Sequence, residues 1–562
     1  MTNTDYSMIT IPLSRFTLHW PLALRVLGLT TTIASAEDWP QWGGNDPGRN
    51  MYSPAKNIPA LFHPGKLKPG TEEIDMSATK NVKWAVKLGS QSYGNPVVAG
   101  GKVYVGTNNE SPRDPKHTGD RSILLVFDEK TGEFLWQLVV PKLSSGKVND
   151  WENLGLFSAP VVQGNRLYLV TSRCEVLCLT TDGLAGGNVG PFTDEGQYIV
   201  GPGKPKVTPG PKDADIVWRY DMMDELGVFP HNASNCSIII VDDMLYVCTS
   251  NGQDWTHVNV PSPNSPSFIA LDKKTGKLLG EDNAGIGPRI FHGLWSSPST
   301  GKVNGRQLVF FGGGDGVCYA FDAKPQKGSG EPIVPVLPGP EFKRDEEKDA
   351  AYLKKVWWLD CNPPEYKAKD GKPIRYQAAE GPSEIIATPV FYKNRVYVAI
   401  GQDPEHGEGV GRLLCIDATK TGDITKTGVL WDYKRINRTI STVSIDPATG
   451  LLFVADFSGY VHCLDAESGK VYWVHDMKAQ MWGSTLVVDG KVFVGDNDGK
   501  LMVLAASKEK KILSEADFGA PVLSTPIVAN GVMYVVNQTH LFAIHDAARS
   551  GSDEVPKVDL NK

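Results

Sequence analysis

Apolar and polar positions along this chain come in short bursts, and the bursts recur. The unit opens on a small polar residue, often followed by Pro, and continues into an apolar run. A Gly or Asp turn leads to an alternating run such as Val103-Tyr104-Val105. After a second turn comes an apolar run ending in Asp, then Thr-Gly and Trp. The first copy runs from Asn95-Pro96 to Trp136. The second opens at Ser158-Ala159-Pro160 and ends at Trp218, and the third opens at Asn235-Cys236-Ser237 and holds Asp272. The fourth opens at Ser296-Ser297-Pro298 and carries Trp357 or Trp358. The fifth runs from Ala387-Thr388-Pro389 to Trp431 and the sixth from Ser441-Thr442-Val443 to Trp473. The seventh opens at Gly483-Ser484-Thr485, and the eighth runs from Ser524-Thr525-Pro526 to Ile544.

Each copy predicts four short antiparallel strands. Asp489-Gly490 and Asn530-Gly531 supply the positive φ that tight hairpins need. A four-stranded unit repeating every ~40–50 residues is the mark of a propeller blade, whose bare faces must be covered by neighbours. The expected fold is therefore all-β, an eight-bladed propeller over 82–546. The eighth copy stops after its third strand, and a spare strand, Val82–Leu88, precedes the first copy. That strand is expected to supply the outer edge of the last blade and close the ring. Gly280 stands where the third copy should carry Trp, which predicts a weaker contact there.

Composition narrows the picture. The net charge of −7 is spread without long runs, so no basic stripe points to nucleic acid. No stretch of ~18 uninterrupted apolar residues predicts a membrane span. Residues 1–36 read as a leader: Arg15, an apolar stretch from Pro21 to Ile33, and Ala34-Ser35-Ala36 before a cleavage near Ala36. A periplasmic or secreted protein is expected, with an N-terminal extension over 37–81 and a tail over 547–562. Of the eight cysteines, Cys178, Cys415 and Cys463 recur two positions before the end of a strand motif, which predicts small buried core residues.

The unit Asp128-x-x-Thr131-Gly132-x-x-x-Trp136, nearly copied at Asp465-x-x-Ser468-Gly469-x-x-x-Trp473, resembles the tryptophan-docking motif of the quinoprotein dehydrogenase superfamily. Asp38-Trp39-Pro40-Gln41-Trp42 and Phe291-His292-Gly293-Leu294-Trp295 resemble a narrower group of exported bacterial PQQ-like propellers. The resemblance implies a propeller and, in the enzymes, pyrroloquinoline quinone (PQQ) with Ca²⁺ in a central funnel. This chain departs from the enzymes: it has no Cys-Cys pair and no Cys-x-x-Cys-His haem motif.

In such a disc, loops between blades and loops joining second to third strands open on one face. That face is expected to gather the candidate groups. Glu152, Glu384 and His292 are candidate proton acceptors. Arg438, Trp482, Trp295, Asn232 and His231 are candidates to hold a cofactor, and Asn109 and Glu110 to ligate Ca²⁺. Asp403 and Gln402 join them. The insertions 183–216 and 323–355 should belong to the opposite face. The expected function is a rigid binding or scaffold module for a protein, peptide or glycan. The alternative is a PQQ-dependent dehydrogenase of an alcohol or sugar.

Overall fold

The computed structural model describes residues 37–327 and 351–548. The expected leader, the middle of the 323–355 insertion and most of the tail lie outside the described residues. Eight antiparallel sheets follow one another as the blades of a propeller. They span 97–141, 161–221, 239–282, 299–360, 390–433, 444–476, 486–517 and 527–544. The eighth is completed by Val82–Lys87, which pairs antiparallel with His540–Ile544, Trp84 opposite Ala543. The ring is closed as the spare strand predicts.

Strand register explains the repeat. On the second, third and fourth strands of a blade, an aromatic, a small residue and a Trp stand in one cross-strand row: Tyr397, Cys415 and Trp431 in blade five, Phe453, Cys463 and Trp473 in blade six. The small central residue lets the two rings meet above it, with centroids 6.0 and 5.8 Å apart. All eight cysteines are buried and unpaired. Each Trp then reaches the next blade. The indole of Trp136 donates to Thr181 O at 3.0 Å, and that of Trp431 to Ala466 O at 3.1 Å. The ring covers the turn glycine of that neighbour: a Cβ on Gly469 would lie 2.6 Å from Trp431. The turn is held by its Asp, as where Asp465 Oδ1 accepts from Ser468 N and Oγ.

Two blades lack this Trp. In blade seven the row ends in Ser514, whose hydroxyl donates to Ala60 O. In blade three it ends in Gly280, opposite Ala270. There the fourth strand pairs in parallel with Ala351–Leu353, which pairs with Gln326–Lys327. The described parts of the 323–355 insertion are thus edge strands of blade three, not loops on the opposite face. A Cβ on Gly280 would meet Pro325 Cβ at 2.8 Å, so the missing side chain makes room for them.

The other insertion also departs from expectation. Residues 183–215 leave and return at the expected end of blade two, but their middle climbs the outer edge. Asp213 bridges to Gln137 of blade one, and the Tyr198 hydroxyl donates to Glu175 at the far end of the third strand. Tyr198 and Ile199 bury their apolar surface in doing so, which a loop confined to one face could not.

Near the axis, residues 37–53 contact every blade. The inner strands expose one edge there, and a buried edge needs partners for its N–H and C=O groups. Glu37 O accepts from Asn530 N in blade eight, and Trp39 exchanges two bonds with Val98 in blade one. Pro40 O accepts from Val162 N, Pro47 O from Thr300 N, and Gly48 O from Phe391 N. The Asn50 side chain exchanges bonds with Ile445, and Tyr52–Ser53 adds a parallel strand to Leu486–Val488. Arg49, fully buried, donates to Pro298 O in blade four and to Ser237 O and Ile238 O in blade three. Gly48 is required: a Cβ would lie 2.3 Å from Phe391 O.

Candidate functional site

With one end of the axis filled by this segment, the other end is a funnel. It holds a cavity of about 410 Å³ lined by Trp42, Tyr93, Trp151, Phe157, Trp295 and Trp482, with apolar Leu154, Ile386, Ile440 and Leu523. Trp42 belongs to the axial segment, and its indole donates to Thr388 Oγ1 at 3.1 Å. Between the rings stand Asn95, Asn232, Asn235, Ser237, Ser297, Thr388, Thr442, Ser484 and Thr525. Most are the small polar residues that open each repeat. Several turn their hydroxyls to the neighbouring blade: Thr388 N donates to Thr442 Oγ1, Thr442 N to Ser484 Oγ, and Ser484 N to Thr525 Oγ1. Among the described residues, the charged groups on the wall are Asp403 and Glu405, and no Lys or Arg lines it.

A second constellation lies beside the cavity. His231, from the loop into blade three, and His292, from the loop into blade four, have ring centroids 4.3 Å apart. His257, from the second loop of blade three, lies 5.0 Å from His231 and 4.8 Å from His292. His406, from blade five, packs 4.9 Å from His292. Asp403 Oδ2 accepts from His292 Nδ1 at 2.9 Å and contacts His406 Nδ1 at 2.5 Å. Trp295 lies between this group and the cavity, its ring edge-on to His292 at 5.2 Å.

Burial sets the charges. The pKa of His231 falls to about 3, chiefly because burial disfavours the cation, aided by His292. His257 is lowered for the same reason. Burial opposes ionisation of Asp403, but the hydrogen bonds with His292 and His406 outweigh it and hold the carboxyl below its usual range. Glu384 is the reverse case. Burial, helped by Asp403, pushes its carboxyl well above the usual range, and only Gly293 N and the Tyr376 hydroxyl bond to it.

The residues singled out from sequence fall into three groups. Trp295, Trp482 and Asn232 line the cavity. His231, His292 and Glu384 are buried beside it. Four have other surroundings. Glu152 is exposed. Arg438 turns its guanidinium to the carbonyls of His406, Glu408 and Ala378. Asn109 donates to Gly119 O and His117 O within its own loop, and Glu110 is exposed. Neither Asn109 nor Glu110 lines the cavity. His257, His406 and Tyr376 were not singled out, although the first two sit in insertions assigned to this face. The sorting holds in part: loops between blades and the second-to-third-strand loops of blades three and five meet here, while the blade-one loop does not line the cavity.

The lining does not fit PQQ. A flat trianion needs cationic partners, and among the described residues this wall offers two carboxylates and no cation. Arg438, the candidate for that role, is committed to backbone oxygens.

Comparisons with known proteins agree on the architecture. A family model described as outer membrane protein assembly factor BamB matches residues 74–183 and 457–552. Quinoprotein alcohol dehydrogenase PedH of Pseudomonas putida KT2440 is 27% identical over 181 residues, 30% of this chain. The chain covers only 28% of that relative's length. A europium-containing methanol dehydrogenase superposes with a TM-score of 0.50 at 14% identity, covering 89% of each chain. Quinohemoprotein alcohol dehydrogenase ADHIIG of Pseudomonas putida HK5 gives 0.51 at 12% identity, over 90% of this chain and 80% of that one. At such identities the structural likeness is one of fold. Eight four-stranded blades, an N-terminal strand closing the ring and the matched repeats together give the chain the fold of a PQQ-like β-propeller.

Proposed function

We propose that the protein is a binding propeller whose funnel takes the neutral end of a glycan. One observation carries this reading: the cavity wall combines six aromatic rings with hydroxyl and amide groups and, among the described residues, has no Lys or Arg. A sugar ring presents apolar C–H faces that stack on aromatic planes, and a rim of hydroxyls that exchange hydrogen bonds with Ser, Thr and Asn. The volume suits one or two such rings. A quinone cofactor would need a different wall, so the dehydrogenase reading takes no support from these residues. Export through the expected leader would bring the funnel to where cell-envelope glycans occur.

Titration of the purified chain with neutral oligosaccharides, followed by tryptophan fluorescence and calorimetry, tests this. Saturable quenching is expected, with Trp482→Ala weakening binding at least about 10-fold through loss of a stacking partner. No response to any neutral glycan, with a melting shift and dye reduction on adding PQQ and Ca²⁺, would replace this reading with the dehydrogenase.

A further inference from the structure

The histidines beside the funnel are arranged as ligands. His231 Nδ1 lies 2.6 Å from Gln253 O, a group that only accepts, so Nδ1 carries the proton. His292 Nδ1 lies 2.9 Å from the Asp403 carboxylate, with the same consequence. Each ring therefore turns a bare Nε2 lone pair inward. The Nε2 atoms of His231, His257 and His292 are all buried and have no hydrogen-bond partner. The ligating atoms of these three residues lie within 4.8 Å of one another. His231 and His292 are 0% and 2% exposed. Buried acceptors without a donor are costly, and the Nε2 atoms of His231 and His292 are fixed as acceptors by their Nδ1 contacts, close enough to His257 to share one ion at a common point. A cation at that point removes the cost.

We propose that the protein binds one first-row divalent metal ion of the zinc class through the Nε2 atoms of His231, His257 and His292. Imidazole nitrogens favour zinc, copper, nickel and cobalt over calcium or magnesium, which prefer oxygen. Hydrogen-bonding each ligand's other nitrogen to a carbonyl or carboxylate, as Gln253 and Asp403 do, is the usual outer support of such a site. Asp403 carries a second histidine, His406, and so ties the loop into blade four to that of blade five. Three protein ligands leave a fourth position for water or a bound group. Trp295 packs against His231 and His292 and also lines the funnel, so the metal would fix one wall of the glycan cavity. The metal site does not depend on what the funnel binds.

The test uses the full chain, stripped with a chelator and titrated with Zn²⁺ alone by calorimetry, with Co²⁺ absorption as a second readout. One Zn²⁺ per chain is expected, and Co²⁺ should give the intense visible bands of a four-coordinate site. His292→Ala should weaken Zn²⁺ binding by more than about 100-fold, and Asp403→Asn by about 10- to 100-fold. Because His292 is buried, that variant can fail to fold. His257→Gln, on a more open loop, covers this case: its metal-free melting should match the parent while its Zn²⁺ affinity falls. Zn²⁺ bound with unchanged affinity in His257→Gln, or less than about one-tenth ion per parent chain, would overturn the proposal. Both readouts work without a saccharide, so a failed glycan titration leaves them intact.

Discussion

The seams between blades use different chemistry at different distances from the axis. At the outer edge they are aromatic: six blades carry a Trp on the fourth strand, whose indole bonds the next blade's turn. Close to the axis they are polar, built from hydroxyls, the Asn50 amide, Arg49 and Glu384. Geometry gives the reason. Blades radiate from an axis, so the gap between neighbours widens outward. The wide part must be filled with the largest apolar side chain available. In the narrow part small hydroxyl side chains suffice between neighbours, and there the buried inner-strand edges need hydrogen-bond partners more than volume. The outer seam can be written into a repeat because each gap is the same. The inner one is completed by a single segment that meets every blade.

The largest effect should come from the inner seam. Arg49→Met removes a buried guanidinium that bonds carbonyls of two blades and of Trp42. Those carbonyls lose their donor and the axial segment loses its anchor. A loss of about 5 kcal/mol is expected, from several charge-assisted bonds at ~1.5–3 kcal/mol each. Denaturant melting would check this, with release of residues 37–53 read by proteolysis. If Arg49→Met melts like the parent, the axial segment is a passenger.

The outer seam should respond less and more locally. Trp136→Ala empties the gap between blades one and two and should cost about 3–5 kcal/mol, as large aromatic deletions do. Gly280→Ala tests the exception in blade three, where the contact is made by added strands. It should destabilise by steric clash with Pro325 rather than gain from extra burial. A Gly280→Ala variant more stable than the parent would mean that this seam is a defect of the repeat and not a fitted joint.

The same division decided what could be read in the sequence. Features repeated in each blade were legible: the strand count, the closing role of Val82–Leu88, the absence of Trp at Gly280 and the small residues at Cys178, Cys415 and Cys463. Asp38-Trp39-Pro40-Gln41-Trp42 drew notice as a resemblance, but nothing local in it says that it lies on the axis. Its partners are up to 492 positions away, at Asn530. The site was half legible. Sorting loops by face brought His231, His292, Glu384 and Asp403 together, because that rule follows from strand direction alone. His257 and His406 were missed, since their loops have no period and only folding brings them to the same point. Arg438 drew attention by position, yet its charge faces backbone oxygens, a fact no sequence pattern encodes.

Glu384 offers the smallest and sharpest probe of the inner seam. It joins the loops into blades four and five by accepting from Gly293 N, and burial keeps its carboxyl protonated well above the usual range. The folded state therefore holds a proton that the unfolded chain releases above about pH 4.5. Stability from this group is present at lower pH and is lost as pH rises towards the folded value, at up to about 1.4 kcal/mol per pH unit. Glu384→Gln keeps the shape, still accepts from Gly293 N and can donate to the Tyr376 oxygen, but has no proton to lose. Melting from pH 4 to 8 should show parent and variant converging near pH 4 and the variant gaining at pH 8. The opposite slope, with the parent favoured as pH rises, would mean that Glu384 is ionised in the fold. It would then be a charged group poised beside His292, and the inner seam would have to be held by a carboxylate rather than by a neutral acid.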